Sequence, residues 1–293
     1  MANQINKYSF WKRSFFLHSF KELKKCQMKQ FILNKYITDL HLIKNRKYDL
    51  RLYVLISGLK PLRIYLNKEG LVRIASKEYS LSIHSVNNKY IHLTNTEVNM
   101  NNTHYKRPNN PYDENANIWN INTYQKYLKT INVNWENMYE KIKDIIIKTI
   151  ISVYNNLIEK KDNLKINDNC FYQLLGFDII IRKDFEPILL EVNNDPSMTI
   201  YNKVDIQIKT NLFVDILNII GISPFSREKH KTIDINTGEL NNKIYSINNA
   251  ICEMSRPFGD LKFIFPVKNN IKKYKKYFLN NIEENIEFWK KIT

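Results

Sequence analysis

In this chain of 293 residues, Asp178, Glu191 and Asn193 have the types and spacing that most directly point to chemistry. They sit in two apolar runs, Gly176-Phe177-Asp178-Ile179-Ile180-Ile181 and Ile188-Leu189-Leu190-Glu191-Val192-Asn193, separated by the polar stretch 182–186. If the turn pairs Arg182 with Pro187, Asp178 falls opposite Glu191. Directly opposed residues of antiparallel strands hold their Cβ atoms ~4.5–5.5 Å apart, and Asn193, two residues from Glu191, shares its face. Two carboxylates that close repel unless a cation lies between them. An adjacent amide oxygen completes a hard-oxygen set suited to Mg²⁺. The competing reading is a partly exposed hairpin whose acids simply face water.

A second set complements the first. Lys47, Asp49 and Arg51 alternate with Tyr48, Leu50 and Leu52, which places the three charged residues on one face of a strand predicted over 47–56. Arg73 lies among Leu71, Val72, Ile74 and Ala75. Arginines fixed on strands suit carboxylate and phosphate recognition, because guanidinium presents a rigid two-pronged donor. The alternative is a solvated strand face with local ion pairs such as Arg51 with Asp49.

The elements that must position these residues follow from periodicity and punctuation. Residues 62–66 and 71–75, joined by Asn67-Lys68-Glu69-Gly70, predict a hairpin with glycine at a left-handed turn position. The Asn-rich stretch 99–122, with Pro108 and Pro111, predicts a long surface loop. Apolar residues at helical spacing predict one helix over 135–160 and another over 204–220 closed by Gly221. Residues 169–175 predict a short helix ended by Gly176. Ile271, Tyr274, Phe278, Ile282, Ile286, Trp289 and Ile292 predict a C-terminal amphipathic helix. Without regular βαβ alternation, the fold class is α+β, a largely antiparallel sheet flanked by helices.

Composition bounds the rest. A 43% hydrophobic content excludes wholesale disorder, and six glycines with eight prolines exclude collagen-like or linker-rich chains. Three widely spaced cysteines give no disulfide framework and no zinc spacing, and no run approaches the ~18 apolar residues of a membrane helix. The net charge of +16 is concentrated at the ends: residues 1–48 hold 11 Lys+Arg against 2 Asp+Glu, and residues 268–293 hold 7 against 3. Basic ends favour polyanionic partners. The over-use of Asn, Ile and Lys, all with A/T-rich codons, accounts for part of this bias without function.

Six ordered blocks then resemble one family. They are residues 47–55 (Lys-Tyr-Asp-Leu-Arg-Leu-Tyr-Val-Leu), 61–66 (Pro-Leu-Arg-Ile-Tyr-Leu), 69–73 (Glu-Gly-Leu-Val-Arg), 92–95 (His-Leu-Thr-Asn), 176–178 (Gly-Phe-Asp) and 190–193 (Leu-Glu-Val-Asn). Their wording is similar to that of the tubulin–tyrosine ligase-like family of ATP-grasp amino-acid ligases, and closer to its polyglutamylase branch. The resemblance implies an ATP-grasp-like core over 31–226, incomplete on its N-terminal side. That core would be preceded by a poorly defined basic segment at 1–30 and followed by an extension at 227–293 with the basic amphipathic helix.

It implies roles as well. Asp178, Glu191 and Asn193 match Mg²⁺ ligands. Asn34, Lys35, Tyr36 and Ile37 match the segment that holds adenine, with Asn34 replacing the usual glutamine. Lys47, Asp49, His92, Leu93, Thr94, Asn95 and Leu190 match nucleotide contacts, and Arg51 and Arg73 match the arginines at the γ-phosphate and reacting carboxylates. The implied cofactors are ATP and Mg²⁺. The implied partners are the acidic tails of tubulin and free glutamate, acted on by a monomer in the cytoplasm at the microtubule cytoskeleton. No membrane partner is implied, and no RNA-stacking motif is present. Residues 1–30 contain no glycine, so the family's Gly-rich phosphate loop has no counterpart there. That leaves two expectations: an incomplete chain of an active ligase, or a non-catalytic member binding microtubules or another polyanion.

Overall fold

A computed structural model describes residues 35–82, 84–85, 87–166, 171–221, 239–268, 270–279 and 283–292. The 1–30 segment, Asn34 and the 226/227 boundary lie outside the described residues. The centre of the fold is an antiparallel pair, β1 (Tyr48–Leu59) and β2 (Leu62–Ile74). To it are added β3 (Ile118–Asn120), β4 (Gln173–Ile181), β5 (Pro187–Asn193) and β6 (Leu261–Phe265). The sheet order is β3-β2-β1-β4-β5, with β6 pairing the other half of β2.

Strand alternation divides the sheet into two faces. Leu50, Leu52, Val54 and Ile56 of β1, with Ile64, Leu66, Val72 and Ile74 of β2, point into the larger core. That core is closed by α3 (Ile121–Thr130), α4 (Trp135–Ser152) and α5 (Tyr154–Asn163). Each fully buried Leu or Ile there contributes about 1.5–3 kcal/mol relative to an exposed one. On the opposite face, α6 (Lys203–Ile220) packs Val204, Ile208, Leu212, Ile216 and Ile219 over Tyr53, Leu55, Tyr65 and Leu71. Gly221 ends α6 with φ 73°, the left-handed stop expected from the sequence. This helix covers only part of its face. Lys47, Asp49, Arg51 and Arg73 lie on the same face, beyond the apolar residues that α6 packs against.

Several elements differ from expectation. Residues 62–74 form one strand, not a hairpin. The pairing of β1 with β2 jumps from Leu52↔Gly70 to Val54↔Leu66, so residues 67–69 form a bulge. Gly70 is required there by closeness, since a Cβ would lie 2.7 Å from the Arg51 carbonyl oxygen. Residues 173–175 are strand rather than helix, because Gln173, Leu174 and Leu175 pair with Ile56, Leu55 and Val54. Gly176 is thus no helix stop; its missing Cβ would sit 2.9 Å from Pro196 and 3.3 Å from the Arg51 side chain.

The predicted 135–160 helix breaks at Val153 (φ −109°, ψ 4°). Thr149 and Ser152 hydroxyls donate back to main-chain carbonyls at Ile145 and Thr149, which weakens the last turn. The restart aims the Tyr154 hydroxyl at the Leu59 carbonyl (2.9 Å). The C-terminal helix is also divided, into α8 (Ile271–Lys275) and α9 (Glu283–Ile292). Between them Phe278 leaves the helical path to stack on Phe265 and meet Tyr154 edge-on.

The 99–122 stretch is no free surface loop. It is preceded by α1 (Lys89–His92) and α2 (Thr96–Asn99) and contains β3 and the start of α3. Asn99, Asn102, Asn117 and Asn120 are buried. Ahead of β6, α7 (Glu239–Met254) is tied to the central strands by Glu253, whose carboxylate accepts from Ser57 (2.6 Å), Tyr65 (2.7 Å) and Arg63 (3.1 Å).

Candidate active site

The residues with chemical potential form a row across four neighbouring strands. Asp49 of β1 is the direct cross-strand partner of Arg73 on β2. Arg51 of β1 is the partner of Asp178 on β4, and Asp178 is the partner of Glu191 on β5. Directly opposed residues are close enough for their side chains to meet, and the two Arg–Asp pairs do. Arg51 grips Asp178 with both prongs, Nε to Oδ1 at 2.5 Å and Nη2 to Oδ2 at 2.8 Å. Arg73 donates Nε to Asp49 at 2.9 Å, closes a second short contact on the same carboxylate, and reaches Asp178 Oδ2 at 2.9 Å. The expected Arg51–Asp49 ion pair does not form, because each arginine takes the acid across the strand rather than along it.

Burial makes this row different from a solvated strand face. Asp178 is 0% exposed, Asp49 1% and Arg73 7%. Burial pushes the Asp178 carboxyl up, but the Arg73 charge and the hydrogen-bonded Arg51 outweigh it and hold it at about 2. Burial likewise opposes the charge on Arg73, and Asp178 and Asp49 more than restore it.

The Asp178–Glu191 pairing depends on a bulge. The turn pairs Ile181 with Pro187 rather than Arg182 with Pro187, and Ile180↔Ile188 and Ile179↔Leu189 follow in register. Continued unbroken, that register would set Leu190 opposite Asp178 and turn Glu191 to the other face. The register shifts after Ile179, so Asp178 faces Glu191 and Gly176 faces Asn193. Leu190 is the extra residue and is 40% exposed. Asn193 Nδ2 then lies 3.1 Å from Glu191 Oε1 and 3.4 Å from Asp178 Oδ2. Two carboxylates and an amide that presents its oxygen on a half-turn make a hard-oxygen set. By donor type it suits a cation such as Mg²⁺, which uses one or two carboxylates and takes further oxygens from substrate. No cluster of three His, Cys, Asp or Glu is found among the described residues, so the amide is needed as third donor.

Lys47, two residues from Asp49, continues the row. Its Nζ donates to the Tyr36 hydroxyl at 3.3 Å and lies over the Tyr36 ring at 4.9 Å, and that hydroxyl is 3.0 Å from His92 Nδ1. Burial pushes the Lys47 ammonium down to about 8, with Asp49 opposing the shift. Burial and the Lys47 charge also push His92 down. Burial and Tyr79 push the Tyr36 hydroxyl up.

Other anticipated residues stand apart. Lys35 is exposed and Ile37 half-buried. Asn95 uses its side chain to cap α2 at Val98 N. Leu93 offers its carbonyl to Asn99 (2.8 Å), and Thr94 is buried beside it. The sequence reading missed Asn99, which clamps this segment to the end of β2. Its Oδ1 accepts from Ser76 N (2.8 Å) and Oγ (2.7 Å) while its Nδ2 also reaches Asn95 O (3.0 Å). Asn117 does the same for Ile74 and Ala75, donating to both carbonyls at 3.0 Å. Hidden among so many asparagines, neither carried a distinguishing signal.

The profile of the tubulin-tyrosine ligase family matches residues 9–231. Tubulin monoglutamylase TTLL4 of Mus musculus is 37% identical over 208 residues, which is 70% of this chain and 17% of that protein. Tubulin polyglutamylase ttll-4 of Caenorhabditis elegans is 30% identical over 279 residues, 83% of this chain and 46% of that protein. Tubulin polyglutamylase TTLL5 of Mus musculus is 32% identical over 206 residues, 69% of this chain and 16% of that protein. The chain thus spans less than half the length of these relatives. With the match extending over most of its own length, the chain belongs to the tubulin-tyrosine ligase family.

Proposed function

We propose that this chain carries the ATP-grasp part of an ATP-dependent carboxylate–amine ligase that joins glutamate to glutamate side chains in the acidic tails of tubulin. The observation that carries the reading is the row Arg73–Asp49 and Arg51–Asp178–Glu191–Asn193, buried at Arg73, Asp49 and Asp178 and half-buried at the rest. It is an expensive arrangement of charge that structure alone does not need, and the glutamylase names of the relatives give it a reaction. Among the described residues no helix is long and apolar enough to cross a membrane, which is compatible with action at the cytoplasmic cytoskeleton.

In this reading the acceptor γ-carboxylate attacks the γ-phosphate of ATP to give an acyl phosphate and ADP. The amine of the incoming glutamate then displaces phosphate to form the amide. Both steps gather negative charge on crowded oxygens, so preorganised cations dominate the rate. Arg51 and Arg73 bind phosphate and carboxylate oxygens, held in place by Asp178 and Asp49. Lys47 provides a further cation for the nucleotide phosphates, oriented by Tyr36 and His92. Asp178, Glu191 and Asn193 would hold Mg²⁺, which when bound supplies charge neutralisation at the phosphate oxygens.

The test is incorporation of labelled glutamate into tubulin in the presence of ATP. Glu191→Gln keeps the size and hydrogen bonding of the side chain but removes a charged metal ligand, and it is expected to abolish incorporation. Incorporation at the unmodified rate would overturn the assignment.

A further inference from the structure

A groove of about 690 Å³ is lined by Lys44, Arg46, Lys77 and Lys106 together with His104, and by Glu78 as its one carboxylate. It shares chain segments with the proposed nucleotide site but not its side chains. Arg46 adjoins Lys47, and Ile91, a lining residue, adjoins His92. The two sites are therefore joined through adjacent residues of the chain and have separate linings.

The groove is built from fixed backbone. Ile43 and Arg46 exchange both main-chain hydrogen bonds (3.0 and 2.9 Å) around a two-residue turn in which Lys44 and Asn45 take φ values of 48° and 61°. Such a turn ordinarily carries glycine or asparagine, and a lysine held there is strained. The turn is clamped from two sides. Lys44 Nζ donates to Glu114 O (3.1 Å) and Asn115 Oδ1 (3.3 Å), and Tyr79 N donates to Asn45 O (2.7 Å). Buried Asn117 pins the Lys106 main chain on both sides (2.8 and 2.9 Å), and Lys77 N donates to Tyr90 O.

Lys44 is committed to the turn's clamp, and the other three cations are not. The Arg46 guanidinium is half-buried, and burial pushes its ionisation down against only the charge of Glu78. Among the described residues, Arg46, Lys77 and Lys106 form no side-chain hydrogen bond or ion pair. Four cations against the single carboxylate of Glu78 leave an excess of like charge that an anionic ligand relieves. The lining includes no Phe, Tyr or Trp, so it offers no platform on which bases would stack. It does offer spaced point charges and amides suited to carboxylates.

We propose that this groove is a docking exosite for an acidic polypeptide, holding a glutamate-rich segment outside the catalytic row. The proposal rests on the ligase reading for its partner and adds the place where that partner is gripped.

The test is equilibrium binding of a fluorescein-labelled octaglutamate to the 293-residue chain by fluorescence polarisation, without nucleotide and at low salt. Arg46→Glu with Lys77→Glu should weaken binding about tenfold, the effect of about 1.4 kcal/mol shared by two rim charges. Arg46→Gln with Lys77→Gln should fall between that variant and the unmodified chain. Circular dichroism establishes that each variant is folded. Unchanged affinity in a folded charge-reversal variant, absence of octaglutamate binding by the unmodified chain, or tighter binding of octauridylate through the same residues would each overturn the proposal. Because no turnover is read, these outcomes leave the ligase reading to the Glu191→Gln assay.

Discussion

Replacing Arg73 by methionine tests whether the charged row is a buried network or a solvated strand face. Arg73 is 7% exposed and serves two carboxylates that are 1% and 0% exposed. At about 4 Å between charge centres and an effective dielectric constant of about 20, each attraction is worth about 4 kcal/mol before desolvation is counted. Desolvation of the three groups offsets most of that total, so the intact network adds little net stability. Removing its central cation is different, because Asp49 then keeps a buried charge with no cation in contact, while Asp178 retains Arg51. Breaking a buried pair in this way costs about 3–5 kcal/mol. An exposed pair would cost about 0.2–1 kcal/mol.

The assay is urea unfolding in the presence of a chelator and without nucleotide, so metal and substrate contribute nothing. Trp119 is a convenient reporter, being buried and paired with Val72, the residue before Arg73. With a denaturant slope of about 2 kcal/mol per molar, the expected loss lowers the midpoint by about 2 M. Adding Asp49→Asn to Arg73→Met removes the stranded charge and should return about 1–3 kcal/mol. A midpoint shift below about 0.5 M in Arg73→Met, or a further loss on adding Asp49→Asn, would refute the buried-network argument and restore the solvated-face reading.

Lys47 gives a pH prediction. With its ammonium held at about 8, its charged fraction in the free protein falls from about nine-tenths at pH 7 to about one-tenth at pH 9. Nucleotide phosphates need the charged form, so affinity measured by calorimetry should drop as pH rises through 8, and Lys47→Met should bind more weakly with little pH dependence. A flat wild-type profile over pH 7–9 would remove Lys47 from the phosphate site. Glu253→Ala leaves the guanidinium of buried Arg63 without its carboxylate and should cost about 3–5 kcal/mol in the same urea assay. The double replacement Arg63→Met with Glu253→Leu should recover most of it, and equal stability of Glu253→Ala and the unmodified chain would show that α7 is not part of the cooperative unit.

The fold was legible where alternation and capping speak locally. The strand over 47–56, the 204–220 helix with Gly221, and the hairpin around 182–186 all follow from period and punctuation. Gly70 and Gly176 mislead for one reason: each reads as a turn or stop signal, whereas each position needs glycine because another part of the chain passes close by, the Arg51 carbonyl at Gly70 and Pro196 at Gly176. A sequence shows that a Cβ is missing but not what would have collided with it. The breaks at Val153 and near Phe278 are likewise tertiary. They turn Tyr154 and Phe278 inward toward Leu59 and Phe265, and helical spacing continues through both without a visible fault.

The candidate site was legible for a reason that partly fails on inspection. The opposition of Asp178 and Glu191 was inferred from a turn pairing Arg182 with Pro187, yet the turn pairs Ile181 with Pro187, and the bulge at Leu190 restores the missing residue. Two offsets of one residue cancel. What survives is the chemistry: acids inside apolar strands must find partners, and a strand face offers only its cross-strand neighbours. That rule also identifies the partners that were mistaken. Asp49 and Arg51, two apart on one strand, lie about 7 Å from each other along it, whereas Arg73 and Asp178 stand directly across. The charged row is thus set by sheet register rather than by sequence proximity, and the bulge that sets the register deserves mutation alongside the acids it aligns.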